Sequence, residues 1–461
     1  MFFPTRPLPE KQEKTERAVV CAILCLKREF DTLKKKDKGQ KMEYCGFFSG
    51  RLGSDNQTRG LILEAETDKK VPVTRDKLLK SPDGQPLDRS RYADEASFKK
   101  DVFAALDSYL SNAQKPDVFV LPFNHGDMKN APNDADALAK TIKEYYGEKN
   151  LGAVTTLVLT GAFHDYRHVD LANVPYHLMN EEQAKRLNKD PELQKKIIPT
   201  LGVAGNLTRL RIQQEGNTPR FAEELAQYKN GKPTVFFSLG GRVEGPEIQF
   251  TMKDAENIWK KALEFQKNGF NVALGNSPRT PTDVTDFLFE KAQKNGMNFY
   301  NAKKIAEAET SDFRQYTGKY KKEFADQQQK LGNIYPAILS VSNIVVGTKD
   351  SFSYTSDTAA LGIRTAVYAD MFIDPVKRPD CDRLFNSVKN KYVFDLNDSR
   401  VFNPKETLPV LPQTNATIIA AVKKFDREKT IERLKAAKQA HRQAGVDQNI
   451  VALKLKKGLQ R

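Results

Sequence analysis

The stretch NIVVGTKDSFSYTSDTAALGIRTAVY, residues 343–368, places polar side chains at the end of an apolar strand. Residues 342–347 predict the strand, and hydroxyl and carboxylate side chains follow in the next loop. A helix is predicted to begin near Ser353 to Ser356, and Gly362 ends it before a second strand. In open α/β sheets, ligands bind in the loops at the carboxyl ends of the strands. The stretch therefore predicts a strand, a binding loop, a helix and a strand.

The same alternation of strands and helices continues along most of the chain. Continuous apolar runs indicate parallel strands that are covered on both faces. These runs lie at 43–48, 116–122, 154–160, 197–203, 233–239, 270–275, 342–347 and 363–368. Helical periodicity lies between them, as in 253–268 and 283–296. The sequence therefore predicts an α/β protein with doubly wound, Rossmann-like sheets.

A change in composition predicts a domain boundary. Residues 213–233 are polar, with Gly and Pro near both ends, and a new strand–helix series opens at Thr234. We predict an N-terminal extension over 1–41, a first domain over 42–225, a second domain over 226–410, and a linker with a basic helical tail over 411–461.

Composition indicates a globular chain with anionic partners. The 461 residues are 39% hydrophobic and 29% charged, with a formal net charge of +15. Residues 423–461 hold 12 Lys and Arg against 4 Asp and Glu. The first interpretation of such a segment is a solvated helix face, and the second is peripheral contact with an anionic membrane. We expect no nucleic acid partner, because the basic segments lack interleaved aromatic residues that stack on bases.

The cysteines and histidines show neither a disulfide nor a metal-binding pattern. The absence of a CxxC pair predicts free thiols in a reducing compartment, hence a cytoplasmic location; the cysteines are Cys21, Cys25, Cys45 and Cys381. The basic tail leaves a peripheral place at the inner face of a membrane as the alternative. His164 and His168 lie in a loop-like segment, and the DAD at 134–136 opens a helix, where acids act as caps. We therefore predict no metal site.

Two strand exits of the second domain carry residues suited to a phosphate. In the first, Gly240 and Gly241 let the backbone turn and approach a ligand closely. In the second, GNSPRTPTD, Arg279 comes just before a helix that Thr280 is predicted to cap. An arginine beside free helix amides suits an anion, and a surface arginine beside an ordinary cap is the equal alternative.

The opening stretch is the third such exit. Ser351 and Ser353 offer hydroxyl and backbone N–H groups at a helix start, which is a setting for a diphosphate. Asp357 is predicted in the first helical turn, where it accepts hydrogen bonds from a ribose or simply compensates the helix dipole.

The first domain offers polar residues at its own strand exits. After its first strand comes SGRLGSDNQTRGL, with Asn56 and Gln57 at the start of the next helix. His125 and Asp127, in FNHGD, leave another strand and reach the same cleft if the two domains face each other. A lone loop histidine is more often structural, so both interpretations stay open.

Together these motifs resemble the ELM1 family, the mitochondrial-fission-ELM1-like glycosyltransferases. The resemblance rests on SGRLGSDNQTRGLILEAE, on VFFSLGG followed by NSPRTP, and on NIYPAILSVSNIVVGTKDSFSYTSDTAALGIRTAVY, in the family's order from about residue 43 to 400. It implies a GT-B-like architecture, in which two Rossmann-like domains face each other across a cleft. The C-terminal domain would hold a nucleotide-sugar donor and the N-terminal domain an acceptor.

The resemblance also implies a set of site residues. The donor site would be lined by Gly240, Gly241, Ser277, Arg279, Thr280, Asp350, Ser351, Ser353 and Ser356, with Asp357 in place of the family's Glu and with Gly53, Asn56 and Gln57 facing it. Ser54 stands where the family often has a histidine, so the obvious general base is missing. Asp55, His125 or Asp127 would have to replace it as the group that deprotonates the acceptor.

The predicted function is metal-independent glycosyl transfer, with a nucleotide-sugar as co-substrate and no cofactor. The alternative is a non-catalytic interaction protein of the same two-domain shape, acting at a membrane or with a protein partner. A weaker third reading is a nucleotide-sugar epimerase or hydrolase.

Overall fold

The computed structural model describes residues 42–50, 52–66, 77–122, 131–241, 246–308 and 314–443, together with residues 21, 24, 27, 31, 310 and 312. Apart from four positions, the predicted N-terminal extension over 1–41 lies outside the described residues. The predicted site residues His125 and Asp127 also lie outside them.

The first unit is a six-stranded parallel sheet with the strand order β2-β1-β3-β4-β5-β6. Its strands are β1 (Tyr44–Phe47), β2 (Leu78–Leu79), β3 (Val118–Leu121), β4 (Thr155–Val158), β5 (Leu171–Pro175) and β6 (Ile197–Thr200). Its helices are α1 (Leu52–Glu66), α2 (Glu95–Leu110), α3 (Ala131–Glu148), α4 (Glu181–Lys189) and α5 (Pro191–Lys196). Nearly all strand residues are buried, as the continuous apolar runs predict for a sheet covered on both faces.

The second unit is another six-stranded parallel sheet, in the order β10-β9-β7-β13-β14-β16. These strands are β7 (Thr234–Ser238), β9 (Asn271–Gly275), β10 (Asn298–Tyr300), β13 (Ile344–Thr348), β14 (Arg364–Tyr368) and β16 (Phe394–Asp395). Two short pairs lie outside the sheet: β8 (Ile248–Gln249) with β15 (Phe372–Ile373), and β11 (Lys304–Ile305) with β12 (Gln315–Tyr316). The helices are α6 (Arg209–Gly216), α7 (Pro219–Ala226), α8 (Met252–Lys267), α9 (Thr282–Lys294), α10 (Lys321–Leu331), α11 (Tyr335–Leu339), α12 (Phe352–Ala360) and α13 (Pro379–Val388).

The predicted fold class, an α/β protein with two Rossmann-like units and a C-terminal helix, is confirmed. All eight predicted strands are present, with ends that shift by up to three residues. The apolar runs did not predict β2, β5, β10 and β16, which are two to five residues long.

Two segments pack against a different unit from the one that the predicted domain boundaries place them in or next to. The polar stretch at the predicted boundary forms α6 and α7, whose Ile212 and Phe221 pack with Phe236 of the second sheet. The helix α14 (Thr414–Gln443) returns to the first unit, where its Ile418 and Val422 join the first sheet's core. The chain therefore crosses between the units twice.

Two further features bear on the earlier predictions. Cys21, Cys45 and Cys381 form no disulfide among the described residues, and Cys25 lies outside them. Within the ranges given above, no helix is long and apolar enough to cross a membrane.

Candidate functional site

The strand order of the second sheet creates a crevice at one place. Numbered along the chain within this sheet, the strands run 3-2-1-4-5-6, the order of dinucleotide-binding Rossmann sheets. The order reverses between β7 and β13, and ligands of such sheets bind beyond the carboxyl ends of the strands at that point. Gly240 follows β7 and Asp350 follows β13, so both lie at this switch point.

Arg279 and Asp350 meet there. Arg279 Nη2 lies 2.9 Å from Asp350 Oδ2, and the side chain of Asp350 is fully buried while that of Arg279 is 31% exposed. The Gly241 N–H donates to the same carboxylate oxygen at 3.3 Å. The other oxygen, Oδ1, is buried and has no hydrogen-bond partner among the described residues. A buried acceptor in this state is costly unless a ligand donates to it.

Gly240 brings the two strand exits into direct contact. Its N–H donates to Thr348 Oγ1 at 2.9 Å. A Cβ at this position would lie 2.2 Å from that hydroxyl and 2.5 Å from Asp350 Oδ1, so no side chain fits. Gly240 therefore allows the close approach that places Asp350 in the crevice.

Thr280 fastens the arginine loop to the end of β7. The prediction that Thr280 caps α9 is wrong, because Pro281 holds the cap position and the helix begins at Thr282. The buried Thr280 hydroxyl instead donates to the Gly240 carbonyl at 2.7 Å and accepts from the Ser277 N–H at 2.9 Å. This arrangement satisfies a carbonyl at the end of β7 and fixes the loop that carries Arg279.

A buried lysine supports the same loop. Lys303 is 1% exposed, and its Nζ donates to the Thr280 carbonyl at 2.9 Å. Burial lowers the pKa of Lys303 to about 8, although Asp312 and Asp283 oppose the shift. Ser277 Oγ accepts from the Arg279 N–H at 3.2 Å, so Ser277 shapes the loop from inside.

The N-terminus of α12 lies beside this ion pair. Ser351 holds the N-cap position without a side-chain cap, and Ser353 is exposed in the first turn, as the sequence predicts. Arg378 also lies near this helix start: its guanidinium is 5.8 Å from the centre of the Phe352 ring, and it pairs with Asp380 at 2.9 Å. An uncapped helix start with two arginines nearby favours a bound anion.

Ser356 and Asp357 lie elsewhere, at the junction between the units. The predicted place of Asp357 in the first helical turn is wrong, because α12 begins at Phe352 and Asp357 lies in the second turn. Ser356 Oγ accepts from the Val203 N–H at 3.3 Å. A Cβ at Gly205 would lie 1.7 Å from Asp357 Oδ1, so the carboxylate packs against bare backbone.

Asp357 lines a cavity of about 330 Å³ between the two chain crossings. Burial raises the pKa of Asp357 to about 8, against the opposing charge of Arg211. Burial also raises the pKa of Glu64, on the opposite wall, where a hydrogen bond with Asn415 opposes the shift. Asn415 Nδ2 donates to the Gly205 carbonyl at 2.8 Å, which ties the start of α14 to the other crossing. We call this region the hinge; it comprises residues 202–208 and 411–415.

Four of the predicted first-domain residues, Gly53, Asp55, Asn56 and Gln57, lie at the start of α1. Gly53 lies in its first turn, and Asn56 and Gln57 are half-buried. Asp55 is 3% exposed, and its Oδ1 accepts from both the N–H and the hydroxyl of Ser49, at 2.8 and 2.7 Å. Asp55 therefore holds the loop between β1 and α1.

The motifs did not single out His177, which lies where the two units meet. It follows β5 in a short turn, and its ring centre lies 4.7 Å from that of Phe352. Arg383 Nε donates to the His177 carbonyl at 2.8 Å. This contact shows that the carboxyl ends of the two sheets face each other. The only sequence signal is the Pro-Tyr-His that follows a strand.

The structure thus brings together Gly240, Gly241, Ser277, Arg279, Thr280 and Asp350, with Ser351 and Ser353 at the adjoining helix start. In the described part of the chain, no three His, Cys, Asp or Glu side chains are grouped to hold a metal ion.

Comparison with protein families agrees with the resemblance. Residues 149–309 match the family described as mitochondrial fission ELM1. The matched region includes the exits of β7 and β9, and it ends before the loop that follows β13. No curated protein sequence matches the chain.

Solved structures give distant similarities over most of the chain. UDP-GlcNAc 2-epimerase from Neisseria meningitidis, bound to UDP-GlcNAc, is 11% identical with a TM-score of 0.39, covering 92% of this chain and 100% of that one. A glycosyl transferase of family 9 from Veillonella parvula is 11% identical with a TM-score of 0.35, covering 84% and 97%. ADP-heptose LPS heptosyltransferase II from E. coli is 9% identical with a TM-score of 0.31, covering 73% and 81%. The fold is therefore assigned from the two parallel sheets of this chain and not from these similarities.

Proposed function

Given the match of residues 149–309 to the mitochondrial fission ELM1 family, we propose that the protein is a nucleotide-sugar-dependent glycosyltransferase of GT-B-like architecture. The observation that carries this proposal is the meeting of Arg279 and Asp350 at the switch point of the second sheet, 2.9 Å apart. These residues come from separate strand exits, and their contact builds a polar site where Rossmann sheets bind nucleotides.

The site has the donors that a diphosphate needs. Arg279 and the N-terminus of α12 would hold the phosphate oxygens, and Arg378, which pairs with Asp380, lies near the same helix start. Negative charge grows on the leaving diphosphate during transfer, and fixed donors stabilise it without a metal ion. Asp350 Oδ1, which is buried and has no partner among the described residues, would accept a hydrogen bond from a donor hydroxyl.

Thermal-shift measurements with UDP-, GDP-, CMP- and ADP-sugars test the proposal. We expect one of them to raise the Tm of the wild type. Arg279→Ala should weaken that binding by about 10- to 100-fold, because a charge-assisted hydrogen bond is worth about 1.5–3 kcal/mol. Arg400→Ala is the matched control, since Arg400 is an exposed arginine that pairs with Asp398. Equal binding by the two variants, or no shift with any nucleotide-sugar, would refute the proposal.

The second candidate function is a non-catalytic interaction protein. Asp55 favours it, because its Oδ1 is already engaged twice by Ser49 instead of being free to take a proton. The outer face of α14 would supply a basic surface, with Lys423, Lys424, Arg427, Lys435 and Lys438 exposed. Under this alternative, no nucleotide-sugar shifts the Tm, and the protein co-sediments with anionic vesicles more than with neutral ones.

A further inference from the structure

His177 is the described histidine that lies at the cleft between the units. His164 and His168 lie in the connection between β4 and β5, whereas His177 follows β5. Its ring packs against Phe352, the first residue of α12, with the ring planes tilted by 59°. Phe352 is two residues beyond Asp350, which pairs with Arg279. The imidazole thus faces the proposed donor site from the acceptor side.

The backbone around His177 is fixed from both units. In the first unit, Pro175 ends β5 and the turn Tyr176–Leu178 carries the histidine. From the second unit, Arg383 donates to the His177 carbonyl at 2.8 Å. These contacts fix the backbone of His177 when the two units are in contact, and a catalytic group requires such a fixed position. Besides Arg383, the charged groups of this region are Arg378, near the Phe352 ring, with its partner Asp380, and the ion pair of Lys349 with Asp382.

Building on the proposed function, we propose that His177 is the general base that accepts the proton of the acceptor hydroxyl. The acceptor would enter between the His177 and Phe352 rings, where the present contact is apolar packing. The hydroxyl proton passes to an imidazole nitrogen, and the oxygen lone pair forms the new bond to the anomeric carbon. The bond from that carbon to the diphosphate breaks, and its electron pair stays on the leaving phosphate oxygen beside Arg279. The imidazolium then returns the proton to solvent.

The test uses full-length protein and the nucleotide-sugar that raises the wild-type Tm. Release of nucleoside diphosphate is followed with water as acceptor, from pH 5 to pH 9. We expect wild-type kcat to fall on the acid side, because a protonated imidazole cannot take a second proton. His177→Gln should still bind the nucleotide-sugar, lose about 100-fold in kcat, and lose the acid limb of the profile. His164→Gln is the matched control and should retain both kcat and the acid limb.

Several results would overturn this inference. An unchanged acid limb in His177→Gln would do so, as would a wild type that binds the nucleotide-sugar without releasing diphosphate. A purely structural role would lower Tm and scale the rate equally at every pH. His177→Asn serves as the second variant if the first fails to fold, and a wild-type profile with no acid limb refutes the role without any variant. If no nucleotide-sugar raises the wild-type Tm, that result refutes the proposed function itself, and this inference falls with it.

Discussion

Replacing Asp357 with asparagine should stabilise the protein at pH 9 and leave its stability nearly unchanged at pH 4. The carboxylate packs against the hinge at the Gly205 backbone, and burial raises its pKa from 3.8 to about 8. The folded state therefore keeps the proton between these two values, while the unfolded chain loses it. Because ionisation of the carboxyl group then favours the unfolded chain, the free energy of unfolding of the wild type falls as the pH rises through this window.

The magnitude follows from the size of the shift. Each pKa unit corresponds to about 1.4 kcal/mol, so a shift from 3.8 to about 8 sets an upper limit of about 6 kcal/mol on this effect above pH 8. Asp357 lines a cavity of about 330 Å³, which has room for water that hydrates the charge. We therefore expect Asp357→Asn to raise the free energy of unfolding by about 1–3 kcal/mol at pH 9.

Urea denaturation at pH 4, 7 and 9, followed by circular dichroism, measures this difference. Asp326→Asn is the control, because Asp326 is an exposed acid on α10 and should give no pH-dependent difference. The reasoning is refuted if Asp357→Asn is less stable than the wild type at pH 9. It is also refuted if the difference between the two proteins is the same at all three values of pH.

Three further predictions concern the hinge, α14 and the donor site. Gly205→Ala should lower Tm by several degrees, because its Cβ would lie 1.7 Å from Asp357 Oδ1, whereas Gly147→Ala, which meets nothing within 4 Å, should not. Asp170→Asn should cost about 3 kcal/mol and expose α14 to limited proteolysis, because Asp170 pairs with Lys429 of that helix at 3.1 Å. Burial acts to raise the pKa of Asp170, but Lys429 and Lys143 outweigh it, so the net pKa is lowered. This stabilisation should therefore fade in urea titrations as the pH falls below about 4. EDTA should leave the nucleotide-sugar Tm shift unchanged, and loss of that shift would contradict metal-independent binding.

The sequence predicts the sheets better than the contacts between them. Strands such as β7 and β13 are continuous apolar runs, so their residue types predict burial on both faces. The strand exits follow from the strands, which is why Gly240, Arg279 and Asp350 were predictable as neighbours.

Residues whose roles depend on tertiary packing were not predictable. Thr280 resembles a cap in sequence, but its hydroxyl bonds to carbonyls about forty residues earlier. Lys303 looks like a surface lysine until the fold buries it under the arginine loop. Asp357 was assigned one helical turn too early, and a shift of that kind moves the side chain one pitch along the axis, away from the helix start.

The return of α14 to the first unit limits how the protein can move. Because the polypeptide enters the second lobe near residue 205 and leaves it near residue 413, that lobe is anchored by a pair of tethers side by side, joined by Asn415. A single tether permits swivelling in every direction, whereas a double one leaves mainly rocking about the line that joins them. Opening of the cleft would then be a rotation about that line, with the loops at the strand ends moving farthest and the residues beside the tethers moving least.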